Sequence, residues 1–164
     1  MPDEMDLPQL LESMRKTRFA MFTTVDGEGG LHARPMTTLE AGEDGSLWFF
    51  GVRDSELVGE VSAQNAVGLA YVDNGSSTYT FVSGTCHLRE DRAKVDELWS
   101  RIHEAWFDGP DDPRLQLIEV RMESAEYWDS PDPGAVRILS MVRAAVTGKQ
   151  PEGDHGEIEV AQPS

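Results

Sequence analysis

The chain has 164 residues and a mass of 18.2 kDa, with 14 Lys and Arg against 30 Asp and Glu, a formal net charge of -16. That length suits one domain with a real hydrophobic core, and the negative charge works against attraction to nucleic acid phosphates or anionic lipid. The single cysteine, Cys86, cannot form an internal disulfide, the opening MPDEMDLPQL lacks the order of a secretion signal, and no apolar run approaches the ~20 residues of a membrane helix, so the expectation is a soluble cytoplasmic protein.

Leu7, Leu10, Leu11 and Met14 fall at helical spacing, with Asp6 placed to cap the helix and Pro8 tolerated in its first turn. Phe19 to Val25 reads as a strand closed by Asp26-Gly27, with Glu28, Gly29 and Gly30 lengthening the hairpin loop. Leu31 to Leu39 and Ser46 to Val52 are the next strands, parted by the turn-rich Ala41 to Gly45. Asp54 or Ser55 then caps a short helix carrying Leu57, Val58 and Val61.

Val67 to Val72 and Tyr79 to Leu88 read as two further strands. The spacing of Val95, Leu98, Ile102 and Trp106 predicts one helix after Asp91, ended by Gly109-Pro110. Leu115 to Met122 resumes as a strand running on to Tyr127-Trp128, and Ala135 to Val146 reads as a late helix. The expected organisation is one domain over residues 1–148 and an acidic tail over 149–164. Short strands joined by hairpins, with helices between and after them, predict a closed or nearly closed antiparallel barrel with packed helices.

The familiar catalytic and phosphate-binding motifs are absent from this sequence: no paired Cys-x-x-Cys, no His-Glu-x-x-His, no Gly-x-Ser-x-Gly, no phosphate-binding loop. His32, His87, His103 and His155 stand at no ligand spacing from one another, so no metal site is expected. Asp91, Asp96, Glu97 and Glu104 read as the solvated face of a helix, and Cys86 as a buried, inert thiol within a strand. Arg34 is different: it sits in an extended apolar stretch beside Pro35, which fits an edge strand or a bulge where backbone groups stay free. A guanidinium there offers a planar fork of donors to a phosphate.

Eight segments then fall in order: His32 to Met36; Leu47 to Phe50 with Ser55; Val82 to Thr85; Asp91-Arg92; Leu98-Trp99; Ala105 to Phe107; Asp111 to Pro113; and Glu126 to Asp129. Together they resemble the general stress protein branch of the pyridoxamine 5'-phosphate oxidase-like family, and the closing Gly156 to Val160 is similar to tails seen there. The resemblance implies a mainly β (α+β) fold, a six-stranded antiparallel split β-barrel with flanking helices, a homodimer, and FMN held at the subunit interface. It matches Arg34 to an arginine that meets the FMN phosphate and Pro35, Met36 and Thr37 to a strand lying along the flavin ring. Phe49, Phe50 and Gly51 match the next ring-lining strand, Ser55 a phosphate-contacting hydroxyl, and Trp128 a tryptophan that reaches FMN. For Phe49, Phe50 and Trp128, plain core packing is the competing reading.

Departures from the family pattern bear on affinity and activity. Gly51 stands where relatives often carry threonine, Leu57 where they carry a phosphate-binding lysine, and Glu56 at a position that can be basic; Arg53 is the nearest substitute cation. The true oxidases follow their tryptophan with Arg-Leu-His-Asp-Arg, which grips pyridoxal phosphate, whereas Trp128 is followed here by Asp129-Ser130-Pro131. The reading is therefore an FMN-binding stress-response protein, with a redox activity on a small molecule but not vitamin B6 oxidation. A non-catalytic flavin-binding or interaction protein and a reductase using a deazaflavin are the alternatives. Trp99, Trp106 and Phe107 supply the aromatic area that a partner subunit is expected to cover.

Overall fold

The computed structural model describes residues 5–129 and 154–160. Asp6 opens helix α1 (Leu7–Thr17) through a capping box: its carboxylate accepts from the Gln9 backbone N–H, and the Gln9 side chain accepts from the Asp6 N–H. Leu10, Leu11 and Met14 lie on one face and are fully buried, which docks α1 against the sheet. Strands β1 (Phe19–Val25) and β2 (Leu31–Thr37) form a hairpin in which the Asp26 carboxylate accepts from the N–H groups of Glu28 and Gly30. Gly29 turns that loop at a φ of +84°, where a side chain would be strained.

The remaining strands are β3 (Glu40–Ala41), β4 (Ser46–Val52), β5 (Ala66–Asp73), β6 (Thr78–Arg89), β7 (Leu115–Asp129) and β8 (Asp154–Glu159). They form one antiparallel sheet in the order β2-β1-β5-β6-β7-β4-β3, with β8 paired to β7. The chain order forces this sheet to curl. β2 and β3 lie at opposite ends of the path, yet only residues 38 and 39 separate them, a span of no more than about 11 Å. The two edges must come round to meet, and the sheet becomes a split barrel. Thr38 donates back to the Arg18 carbonyl and Leu39 to the Trp48 carbonyl, which fastens the crossing.

All six strands read from the sequence are present, and β3 and β8 are added to them. The predicted strand from Leu31 to Leu39 is divided at this crossing. β8 lies within the acidic tail and pairs Ile158 with Ala125 and Gly156 with Tyr127. Long β6 and β7 shift register between Ser83 and Gly84, where an added Cβ would fall 2.5 Å from the Arg121 carbonyl oxygen. Glycine is what lets the bulge close.

Inward-facing Phe22, Leu47, Phe49, Leu69, Val82, Ile118 and Val120 fill the barrel together with α1 and with helix α2 (Glu56–Ala63). A second apolar cluster lies outside it, where Phe50 and Trp48 meet Val95, Trp99 and Phe107. The single helix predicted from Val95 to Trp106 is two pieces: helix α3 (Arg92–Leu98) and a 3-10 turn (Arg101–Ala105). Trp99 and Ser100 between them are extended, and the Ser100 N–H donates to His103 Nδ1 at 3.0 Å. The break turns Trp99 and His103 onto Phe50, at ring separations of 6.2 and 4.9 Å, and leaves Ile102 and Trp106 facing outward. The predicted late helix, Ala135 to Val146, and the boundary at residue 148 lie outside the described residues.

Candidate functional site

β2 is an edge strand, paired only with β1 among the described residues, and Pro35 sits within it. Alternation along β2 splits the predicted residues between two faces. Arg34 lies opposite Phe22 and turns toward the barrel, and Met36 packs against the core; Pro35, opposite Met21, belongs to the outer face.

Thr24, on β1, is fully buried and carries Arg34. Arg34 Nη1 donates to the Thr24 hydroxyl at 2.7 Å, the hydroxyl donates to Glu60, and Arg34 Nη2 lies 3.6 Å from Glu60 Oε1. Glu60 reaches this point because α2 packs on β1 and points its second turn at the hairpin. His32 completes the network, with Nδ1 2.8 Å from Glu60 Oε1 and 3.4 Å from Glu56 Oε1, and Nε2 3.5 Å from Asp26 Oδ2. The Thr24 hydroxyl and then His32 hold the Glu60 carboxyl below its ordinary range against a desolvation that opposes them. The bond to Glu60 pushes the His32 imidazole up, and backbone N–H groups of Gly30 and Glu28 hold Asp26 down.

The other predicted residues divide as follows. Ser55 caps α2, its hydroxyl accepting from the Val58 N–H at 3.3 Å. Phe49 is fully buried and meets Phe22 edge-on at 5.3 Å, so it is a core residue. Phe50 faces the outer cluster with Trp99 and His103. Gly51 leaves room that the Ile118 side chain occupies, within 2.7 Å of where a Cβ would stand. Leu57, at the family's lysine position, is 5 % exposed and belongs to the core. Arg53, the nearest substitute cation, is held by Glu90 at 2.7 Å and by the Pro113 and Leu115 carbonyls.

Trp128 lies on β7, four strands from β2 along the sheet order. Pro35, Met21, Ala70, Phe81 and Glu126 form one row across β2, β1, β5, β6 and β7, with Trp128 two residues beyond Glu126. Four strand spacings put Pro35 and that stretch of β7 about 19 Å apart along the sheet. The outer face between them is apolar, and among the described residues Phe19, Met21, Val72, Phe81 and Trp128 are exposed on it. Of the three aromatics expected to meet a partner, Trp99 and Phe107 pack into the outer cluster and Trp106 is exposed, and this sheet face is a further unburied apolar area among the described residues.

The residues fit the two ends of a flavin mononucleotide unequally. A free strand edge beside an apolar face suits a flat ring. The polar end does not suit a phosphate dianion, because Asp26, Glu56 and Glu60 already face Arg34 and His32. An open groove at the other end of α2, lined by Val61, Asn65, Cys86 and His87, contains none of the predicted site residues. Its Cys86 thiol is pushed up to about 12 by desolvation, in keeping with an inert buried cysteine.

The sequence reading missed the meeting of His32, Glu56 and Glu60. His32 and Glu60 are 28 residues apart, and only the four-residue spacing of the two glutamates on one helix face hinted at it.

Comparison with known proteins agrees with this fold. The family model for pyridoxamine 5'-phosphate oxidase-like proteins matches residues 5–152. The structure is similar to that of a general stress protein 26 from Jannaschia sp. CCS1, with a TM-score of 0.69 and 25% identity over 91% of this chain and 94% of the other. It is also similar to a general stress FMN/FAD binding protein from Xanthomonas citri, with a TM-score of 0.67 and 28% identity over 77% of this chain and 90% of the other. The protein bli-3 of Neurospora crassa is 25% identical over 159 residues, covering 90% of this chain and 76% of its own. No helix among the described residues is long and apolar enough to cross a membrane. The chain belongs to the pyridoxamine 5'-phosphate oxidase-like family, in its general stress protein 26 branch.

Proposed function

We propose that this protein is a homodimeric, cytoplasmic FMN-binding stress-response protein that uses the flavin as a redox centre on a small molecule and is not a vitamin B6 oxidase. The observation that carries the reading is the exposed apolar face of Met21, Phe81 and Trp128 running up to the free edge strand that holds Pro35 and Thr37. A second copy would cover that face and close a groove along β2. Trp128 stands on that outer face, whereas Arg34 turns toward the barrel, so Trp128 would reach the flavin of the partner. The FMN/FAD binding of the Xanthomonas citri relative supports flavin as the ligand.

In such a site the flavin supplies the redox chemistry, and the protein orients the ring and excludes water. The ring supplies most of the affinity and the phosphate little, since Arg34 is already engaged by Glu60 and Thr24. Purified protein incubated with FMN or riboflavin and then desalted tests this. The expected result is a visible flavin spectrum with about one flavin per chain, similar affinity for the two flavins, and bleaching by a reduced nicotinamide. A protein that retains neither flavin overturns the reading, and a flavin that stays oxidised whatever the donor leaves a binding protein without redox activity.

A further inference from the structure

His32 stands at the end of the β1–β2 hairpin with carboxylates facing both ring nitrogens. Nδ1 is approached by Glu60 at 2.8 Å and Glu56 at 3.4 Å, and Nε2 by Asp26 at 3.5 Å. The two glutamates are one turn apart on α2, so the helix aims both at one point from across the gap to β2. One ligand atom from each of His32, Glu56 and Glu60 lies within 4.8 Å of the others. Two donors about 2.0–2.1 Å from a tetrahedral zinc ion stand about 3.4 Å apart. The Nδ1 to Glu56 separation already has that length, and Glu60 has to withdraw from 2.8 Å to about 3.4 Å from Nδ1.

Charge points the same way. Asp26, Glu56 and Glu60 carry three negative charges, and Arg34 beside Glu60 returns one. With His32 neutral the group has a surplus of two, which a divalent cation cancels.

We propose that His32, Glu56 and Glu60 form a binding site for a divalent transition-metal ion of the zinc class, with Asp26 as the outer acceptor that orients His32. An imidazole ligand selects such ions over magnesium or calcium. Asp26 is fixed by the Glu28 and Gly30 N–H groups and faces Nε2 at 3.5 Å, so it favours the proton on Nε2 and leaves the Nδ1 lone pair for the metal. Thr24 donates to the second oxygen of Glu60, which leaves Oε1 as the ligand atom. Three protein ligands leave a further position for water or for an atom of a bound molecule. The proposal is independent of the flavin reading.

Isothermal titration of Zn²⁺ into the full chain, freed of metal by a chelator and then dialysed, tests it, with Mg²⁺ as the comparison ion. One Zn²⁺ per chain is expected, with Mg²⁺ showing no saturable binding at the same concentrations. Glu56→Gln should weaken Zn²⁺ at least tenfold, and His32→Asn should abolish the stoichiometric site. Both side chains are partly exposed, at 72% and 41%, so both variants should keep the wild-type circular dichroism. No saturable Zn²⁺ binding by the wild type overturns the proposal, as does binding that both variants retain unchanged.

Discussion

Arg34 and Glu60 lie 3.6 Å apart across the gap between edge strand and helix, joined also through the Thr24 hydroxyl. The cation that the family resemblance assigns to a phosphate therefore already has an anionic partner. Neutralising that partner should change the preference between ligands that differ only in the phosphate. For Glu60→Gln, the ratio of FMN to riboflavin affinity should rise roughly tenfold, the order expected for removing one charge several ångströms from a dianion in a partly screened site. Quenching of flavin fluorescence, measured with a chelator present, checks it. An unchanged ratio would place the phosphate away from Arg34.

Leu57 gives a prediction opposite to the one its position in the family suggests. A lysine there would restore the phosphate-binding cation of relatives, but the Leu57 side chain is buried among the core residues of α2. Leu57→Lys should lose apolar packing and strand an ammonium at the core's edge, destabilising the fold by about 2–4 kcal/mol without tightening FMN. Urea denaturation alongside an FMN titration separates the two effects. A stable variant with improved FMN affinity would mean that α2 can turn this residue toward the ligand.

The exposed sheet face should behave as an interface. Met21 and Phe81 share one row through Ala70, and both are accessible in the single chain. A carboxylate at Met21 would be placed in each half of a two-fold interface and left without a partner there. Met21→Glu should therefore weaken self-association by 100-fold or more while leaving circular dichroism unchanged, a loss of the size seen at interface hot spots. Sedimentation equilibrium reads it directly. A wild type that sediments as a monomer at micromolar concentration, or a variant as dimeric as the wild type, would place the interface elsewhere.

What the sequence made legible was whatever depends on local order. Turn signals and apolar runs gave β1 and β4, Asp6 and Ser55 announced their caps, and Pro35 marked an edge strand. It was less informative where distant elements decide. The periodicity of Val95, Leu98, Ile102 and Trp106 continues through a backbone that is broken at Trp99 and Ser100, because the packing of Trp99 and His103 on Phe50 outweighs helical continuation. The aromatic run Trp48-Phe49-Phe50 does not say which ring faces the barrel, and a lysine-to-leucine exchange does not say that the new side chain joins the core. The pairing of Arg34 with Glu60, and of His32 with both glutamates, depends on α2 crossing β1, which no local pattern records.

The Asp111-Asp112-Pro113 segment, one of the markers of the family resemblance, gives a pH-dependent prediction. The Asp112 carboxylate accepts from Arg114 Nη2 at 2.7 Å and Nε at 3.2 Å, and from the N–H groups of Asp108 and Arg114 at 2.9 Å each. It closes the loop between the 3-10 turn and β7. The Arg114 side chain first, and then the two backbone donors, hold this carboxyl well below the usual carboxylate range. A group depressed in the folded state contributes stability that is complete above its unfolded value, near ~3.9, and is lost as pH falls through the folded value. Asp112→Asn removes the charge but keeps the shape, so it should melt below the wild type by a margin that is constant between about pH 7 and pH 5. The margin should narrow below about pH 4, as the wild-type carboxylate takes up its proton. Thermal unfolding of both proteins across that range checks it. A margin that widens with acid, or none at neutral pH, would show that the loop is held by something other than the ionised Asp112.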